Sequence, residues 1–356
     1  MRNTLLALFA ASLFAACSSD SKPAARVYNA TASVGDFLLI TIHPDTHRID
    51  YENRTTGESG TVDYTVNADG TYAITDPDGH LLTAYEIPGL ALVMGGDKMG
   101  PGGTEKALII GVEKASLTKA DLAGKSYTIM QFRTTEGGME VGHVAIDSSF
   151  NLRLNEYIPA KALYGSSPYV NESEPSTNFT DDPISGSITA HMTGDTYDSH
   201  VFGTPGGYFA VDCPNGSIFG IREAASSAFQ SSSAGTYTAI VYSRKNVTMT
   251  PGSGTPEMST ATVTVTEPQA GTGHIVVTQG SQTIFDEDLI PFAQSSFTGP
   301  VGSGRVESDA KGLFVFGDSS DSPIFVTFMD RSLAFASFTA GTGQYNYTYG
   351  FALKQP

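Results

Sequence analysis

Val62-Asp63-Tyr64-Thr65-Val66 runs into Asn67-Ala68-Asp69-Gly70 and out again as Tyr72-Ala73-Ile74. Val62, Tyr64 and Val66 share one face and Asp63 and Thr65 the other, the period-two pattern of a half-buried strand. Asp69-Gly70 is a favoured hairpin turn, because Gly takes positive φ without steric cost. Asp76-Pro77-Asp78-Gly79 supplies a second turn before Leu81 to Ile87, and Thr262-Val263-Thr264-Val265-Thr266 alternates as strictly. No long stretch carries the apolar period of an amphipathic helix. The body is all-β.

Internal comparison suggests repetition. Val34-Gly35-Asp36-Phe37-Leu38, Ala123-Gly124-Lys125-Ser126-Tyr127-Thr128 and Ala234-Gly235-Thr236-Tyr237-Thr238 each set Gly ahead of an aromatic that starts a strand. Two closings match, Ile110-Gly111-Val112-Glu113-Lys114-Ala115 and Phe219-Gly220-Ile221-Arg222-Glu223-Ala224, and Tyr208-Phe209-Ala210-Val211 resembles Ile324-Phe325-Val326-Thr327. The expectation is three tandem antiparallel β-barrel or sandwich-like modules, residues 33–117, 118–229 and 230–356, after a flexible linker at 17–32. A β-propeller of about six four-stranded blades is the alternative. Paired large and small residues in Leu333-Ala334-Phe335-Ala336-Ser337-Phe338 fit a curved sheet with a tapering inner face.

The 356 residues carry 20 Lys and Arg against 37 Asp and Glu, a formal charge of −17. That balance argues against nucleic acid, whose phosphates need a basic face, and against a polybasic grip on anionic lipid. With two Cys in the chain, an internal disulfide in the body is not expected.

The leader has Arg2, an apolar run from Leu5 to Ala16 broken by Ser12, and then Cys17. The run is too short to span a bilayer as a helix, and with its basic start it reads as a secretory signal peptide over residues 1–16. Leu13-Phe14-Ala15-Ala16-Cys17 resembles the lipobox of bacterial lipoproteins, with Phe14 where an aliphatic residue is usual. The resemblance covers residues 1–17 and implies cleavage before Cys17, acylation of its sulfur and a membrane held through lipid (palmitate among the chains). Ser18 after the Cys implies the outer membrane. The body resembles repeat-bearing bacterial lipoproteins.

His191, Asp195, Asp198 and His200 gather within ten residues and are the first place to look for acid-base work. A polar loop between two strands is the competing reading. His43-Pro44-Asp45-Thr46-His47 reads as a turn rather than a zinc pair. The oxygens of Asn67, Asp69, Asp76 and Asp78 punctuate hairpins, and Asp286-Glu287-Asp288 reads as a solvated loop. Gly317-Asp318-Ser319-Ser320 is similar to the nucleophile block of Gly-Asp-Ser esterases in letters only, because it sits late in a β-rich region with no His after it. Cys213 reads as a small buried group at a strand end. Tyr345, Tyr347 and Tyr349 share one face and read as barrel filling. No metal or cofactor is implied.

The expected function is that of an exported, lipid-anchored envelope protein with a binding or structural role toward a protein or glycan partner. An exported hydrolase acting on glycans or esters, or a small-ligand carrier of calycin type, is the alternative.

Overall fold

The computed structural model describes residues 24–77, 79–99, 105–133, 138–158, 169–174, 178–191, 196–204, 207–214, 216–224, 226, 228–248, 253–291, 297–299, 302–304, 312–316, 324–329, 331–341 and 344–356. The leader and Cys17 lie outside them.

Strands β1 (Arg26–Ala32), β2 (Phe37–His43), β3 (Arg48–Asn53), β4 (Glu58–Val66), β5 (Tyr72–Thr75), β6 (Leu81–Ile87), β7 (Ala91–Met99) and β8 (Glu105–Glu113) close into a barrel. A one-turn helix, α1 (Lys119–Leu122), leads into the middle sheet. That sheet holds β9 (Lys125–Arg133), β10 (Gly138–Ile146), β11 (Leu152–Tyr157), β12 (Tyr169–Glu174), β13 (Asn178–Asp182), β14 (Ser187–His191), β15 (Ser199–Gly203), β16 (Tyr208–Cys213) and β17 (Gly216–Arg222), with β12 and β13 at its two ends. A second barrel is built from β18 (Gly235–Val247), β19 (Thr255–Gln269), β20 (Thr272–Gln279), β21 (Gln282–Pro291), β24 (Leu313–Phe316), β25 (Ile324–Met329), β26 (Ser332–Gly341) and β27 (Gln344–Lys354). Strands β22 (Phe297–Gly299) and β23 (Gly302–Gly304) pair between β21 and β24. The fold is all-β and built of tandem barrel-like sheets, not of four-stranded blades. Residues 26–32, expected within a flexible linker, are a strand paired on both sides.

The three sheets share one layout. In each the first strand pairs with the last, β1 with β8, β9 with β17 and β18 with β27. In each the fourth strand changes partner part-way. Glu58–Asp63 of β4 pairs with β3 and Tyr64–Val66 with β5; Gln282–Leu289 of β21 pairs with β20 and Ile290–Pro291 with β24. In the middle sheet β12 pairs with β11 and β13 with β14, so these two strands are the two parts of one fourth strand. Crossing the antiparallel sheet from β12 to β13 also brings the chain back to the same direction, as two parts of one strand require.

The repeat therefore differs from its sequence outline. Val34-Gly35-Asp36-Phe37 opens a second strand, whereas the other two opening motifs start first strands. Tyr208–Val211 lies in a seventh strand and Ile324–Thr327 in a sixth, so their likeness is not positional. The closings do correspond, and a third joins them. Gly111, Gly220 and Gly350 sit in the three eighth strands, opposite Leu92, Phe209 and Phe335 of the seventh. A Cβ on Gly220 would lie 2.3 Å from the Phe209 ring and one on Gly350 2.4 Å from the Phe335 ring, while one on Gly111 would meet Leu92 at 3.2 Å.

These glycines face their own sheet's interior, and their neighbours face the space between the sheets. Ile110 and Val112, Phe219 and Ile221, and Tyr349 and Phe351 all enter one common core that draws on all three sheets. The same split runs along β7, β16 and β26. Leu92, Phe209 and Phe335 point inward, while Ala91 and Val93, Tyr208 and Ala210, and Ala334, Ala336 and Phe338 join the common core. Strands covered on both faces need apolar residues without alternation. That explains Leu333–Phe338, where Leu333 and Phe335 line the barrel, Ala334 and Ala336 let the sheets approach, and Phe338 fills the common core.

Gly220→Ala and Gly350→Ala should each cost about 1–3 kcal/mol by overpacking against a ring that the opposite strand holds in place. Gly111→Ala, with more room, should cost less. Urea unfolding of the three variants checks this ranking.

Candidate functional site

His200 on β15 and Asp212 on β16 are register partners, so both project from the same face of the middle sheet. Asp212 accepts from the His200 backbone N–H and lies 3.1 Å from Nδ1 of its imidazole. The ring stacks on Phe37 at the start of β2, with centroids 4.7 Å apart and planes 15° apart, so the pair sits on the seam with the first barrel. The Asp212 hydrogen bond raises the His200 pKa, burial opposes it, and the charges of Asp212, Asp198 and Asp182 add to the rise. Three further hydrogen bonds tie the seam: Asn29 Nδ2 to Ser185 O at 2.9 Å, Lys114 Nζ to Ile184 O at 2.8 Å, and Tyr208 Oη to Leu90 O at 2.8 Å.

His191 is on the same sheet face, two residues on from the strand partner of His200. Its Nδ1 lies 2.9 Å from Asp198 Oδ1, and both side chains are exposed. Asp195 lies outside the described residues. The cluster picked from sequence thus divides into an exposed pair at the hairpin end and a seam pair with Asp212. Sequence reading missed Asp212 because it is twelve residues from His200, and only strand pairing brings them together. A carboxylate that orients an imidazole is one part of acid-base machinery, but here the imidazole face is covered by Phe37, which makes the pair a clamp between sheets.

A second charged cluster sits inside the first barrel. Glu86, with 1% of its side chain exposed, pairs with the Arg26 guanidinium and accepts from Tyr28 Oη at 2.8 Å and Tyr72 Oη at 2.5 Å. Tyr64 packs on Tyr72 with ring centroids 4.5 Å apart. Burial raises the Tyr28 and Tyr72 pKa values, and the nearby Glu86 charge adds to both. No sequence spacing points to this group, since Arg26 and Glu86 are sixty residues apart.

Where the first barrel meets the last, a cavity of about 260 Å³ is lined by Leu81, Thr83, Gly95, Lys106, Ile240 and Met258, with hydroxyls from Ser259 and Thr260. Gly95 lets the two barrels approach closely, because a Cβ there would lie 2.5 Å from Met258 Cε.

The remaining sequence candidates serve local structure. His43 lies 2.8 Å from Asp50 and His47 packs near Tyr64, so the turn does not aim the two imidazoles at one point. Asp69 accepts from Thr71, and Asp76 from His80, as turn punctuation, while Asp78 and residues 317–320 lie outside the described residues. Asp286 and Asp288 are in a strand, not a loop, and hold His274 between them at 2.9 Å on each side. Cys213 ends β16 and receives Gln131 Nε2 at 3.6 Å. Tyr345, Tyr347 and Tyr349 share a face, but it is turned to the common core rather than into a barrel.

No protein-family model matches the sequence, and no curated protein matches it. Among solved structures, a protein of unknown function of the DUF3598 family from Nostoc punctiforme is 11% identical over 66% of this chain and 97% of its own, with a TM-score of 0.23. The isotype 1 transferrin binding protein B from serogroup B Neisseria meningitidis is 10% identical over 90% of this chain and 66% of its own, at 0.28. The intact Ap-TbpB, with N and C lobes, is 11% identical over 90% and 67%, at 0.24. All three scores are well below the level at which two whole chains share a fold.

Glu86→Ala leaves the Arg26 charge and two hydroxyls without their acceptor inside the barrel. It should destabilise by about 3 kcal/mol in urea unfolding, while Glu86→Gln, which keeps an acceptor, should cost less. The His200 pair gives a pH signature. Because the folded pKa is raised, its contribution is complete below the ordinary imidazole value of about 6.5 and is lost as pH climbs through the folded value. Over that window Tm of the wild type should fall more steeply than Tm of His200→Gln. Parallel slopes would remove the pair from the pH response.

Proposed function

We propose that this is an exported cell-envelope lipoprotein, acylated on Cys17 and attached to the outer membrane, whose sheets present an outer surface to a protein or glycan partner. The observation that carries the reading is how the barrels are filled. Tyr28, Tyr64, Tyr72, Ile40 and the Glu86 cluster occupy the first, and Tyr237, Val263, Phe314 and Phe335 the last. A calycin-type carrier uses such interior positions to enclose its ligand. Here side chains take them, and the outer faces are what the chain offers to others.

The lipobox-like leader supports the anchor, and several acyl chains on one sulfur hold firmly with no help from a polybasic face. The acidic balance of the chain is compatible with that mode of attachment. Among the described residues no helix is long and apolar enough to cross a membrane.

Cells expressing the chain and fed a palmitate analogue should label it and carry it in the membrane fraction, and Cys17→Ser should lose both label and attachment. A Cys17→Ser protein that stays labelled and membrane-bound overturns the anchor.

A further inference from the structure

Strand β1 alternates as a half-exposed strand would, yet both of its faces are buried. Tyr28, Ala30 and Ala32 point into the first barrel, so Asn29 and Thr31 form a polar row on the outer face. Ser33 continues the row, because its backbone pairs with Leu108, whose side chain enters the common core. Asn29 is 1% exposed and Thr31 and Ser33 not at all, because β1 packs on β16 and β17 of the middle sheet. Asn29 Nδ2 donates to Ser185 O, and Ser33 Oγ accepts from the Leu108 N–H. Asn29 Oδ1 and Thr31 Oγ1 have no partner within hydrogen-bond distance.

Two buried hydroxyls of the other sheets are in the same state, Ser217 Oγ on β17 and Tyr349 Oη on β27. Ring and strand contacts bring these groups to one junction. Ser217 is the register partner of Phe132, so the two side chains share a face of the middle sheet, and the Phe132 ring stacks on that of Tyr349 at 4.6 Å. Burial raises the Tyr349 pKa, and the nearby Ser33 hydroxyl holds back part of the rise. Thr31 follows Ser33 on the same face of β1. Each of the three sheets thus contributes one unsatisfied hydroxyl: Thr31, Ser217 and Tyr349.

We propose that this junction is an internal hydration site, where ordered water bridges the Thr31, Ser217 and Tyr349 hydroxyls and joins the three sheets. A polar atom buried without a partner is costly, and the apolar residues of the common core keep the sheets packed around these atoms, so bulk solvent cannot relieve them. A single small molecule with several hydrogen bonds can. Hydroxyls both donate and accept, which matches water, whereas an ion would use half of that capacity. A buried water makes about three hydrogen bonds, the number of hydroxyls that meet here. Asn29 Oδ1, on the same row, offers a further acceptor.

Three shape-conserving substitutions in the full chain test this: Thr31→Val, Ser217→Ala and Tyr349→Phe. Each removes a hydroxyl that has no protein partner. At a dry site each should raise Tm, because an unsatisfied polar group gives way to an apolar one. At a hydrated site each should lower Tm by about 2 °C, because the water loses a partner. Pairs of substitutions should then cost less than the sum of the singles, since they act on one water. Water-oxygen magnetic relaxation dispersion counts long-lived internal waters, and the wild type should hold at least one more than the triple variant. A rise in Tm for any of the three, additive losses in the pairs, or an unchanged water count overturns the inference. These measurements need neither the lipid anchor nor a partner, so their outcome is independent of the envelope role proposed above.

Discussion

The structure depends on burying both faces of the same strands. Each sheet has its own interior, and each also gives the outer face of its last strands to a core common to all three. A strand placed there cannot alternate apolar with polar, and its backbone must pass close to a large side chain on the neighbouring strand. Gly111, Gly220 and Gly350 answer the second demand at the same register position in every sheet. Removing a Cβ lets Phe209 and Phe335 lie flat across the eighth strand, while the flanking residues reach the other way into the shared core.

That core sets the limits on everything else. Its contacts are apolar and aromatic, with Phe132 stacked on Tyr349 across the boundary of two sheets at 4.6 Å. Polar tie points supplement it, where His200, Asn29, Lys114 and Tyr208 bridge the first barrel and the middle sheet. Charge inside a barrel is tolerated only when fully engaged, as Glu86 is by one guanidinium and two hydroxyls.

Local pattern made the all-β class legible, because alternation and Asp-Gly turns are properties of a few adjacent residues. The closing motifs at Gly111 and Gly220 were legible for a related reason: a Gly between two apolar residues marks a position where both faces are covered. Tyr349-Gly350-Phe351 has the same form but escaped notice, since its flanking aromatics look unlike the aliphatic residues of the first closing. Strand order was not legible. Val34–Phe37 was grouped with the wrong strand of the module, because a Gly before an aromatic starts a second strand as readily as a first.

Sequence by itself determined the strand character, the repetition on the scale of a hundred residues and the lipobox-like start, all of which are written in neighbouring letters. Tertiary structure alone decided which charges meet. His200 finds Asp212 and Arg26 finds Glu86 through strand pairing and barrel closure, and whether Tyr345, Tyr347 and Tyr349 face a barrel or a seam depends on where three sheets come together. Those are relations between distant segments, set by the geometry of closing and packing sheets, and no local run of residues encodes them.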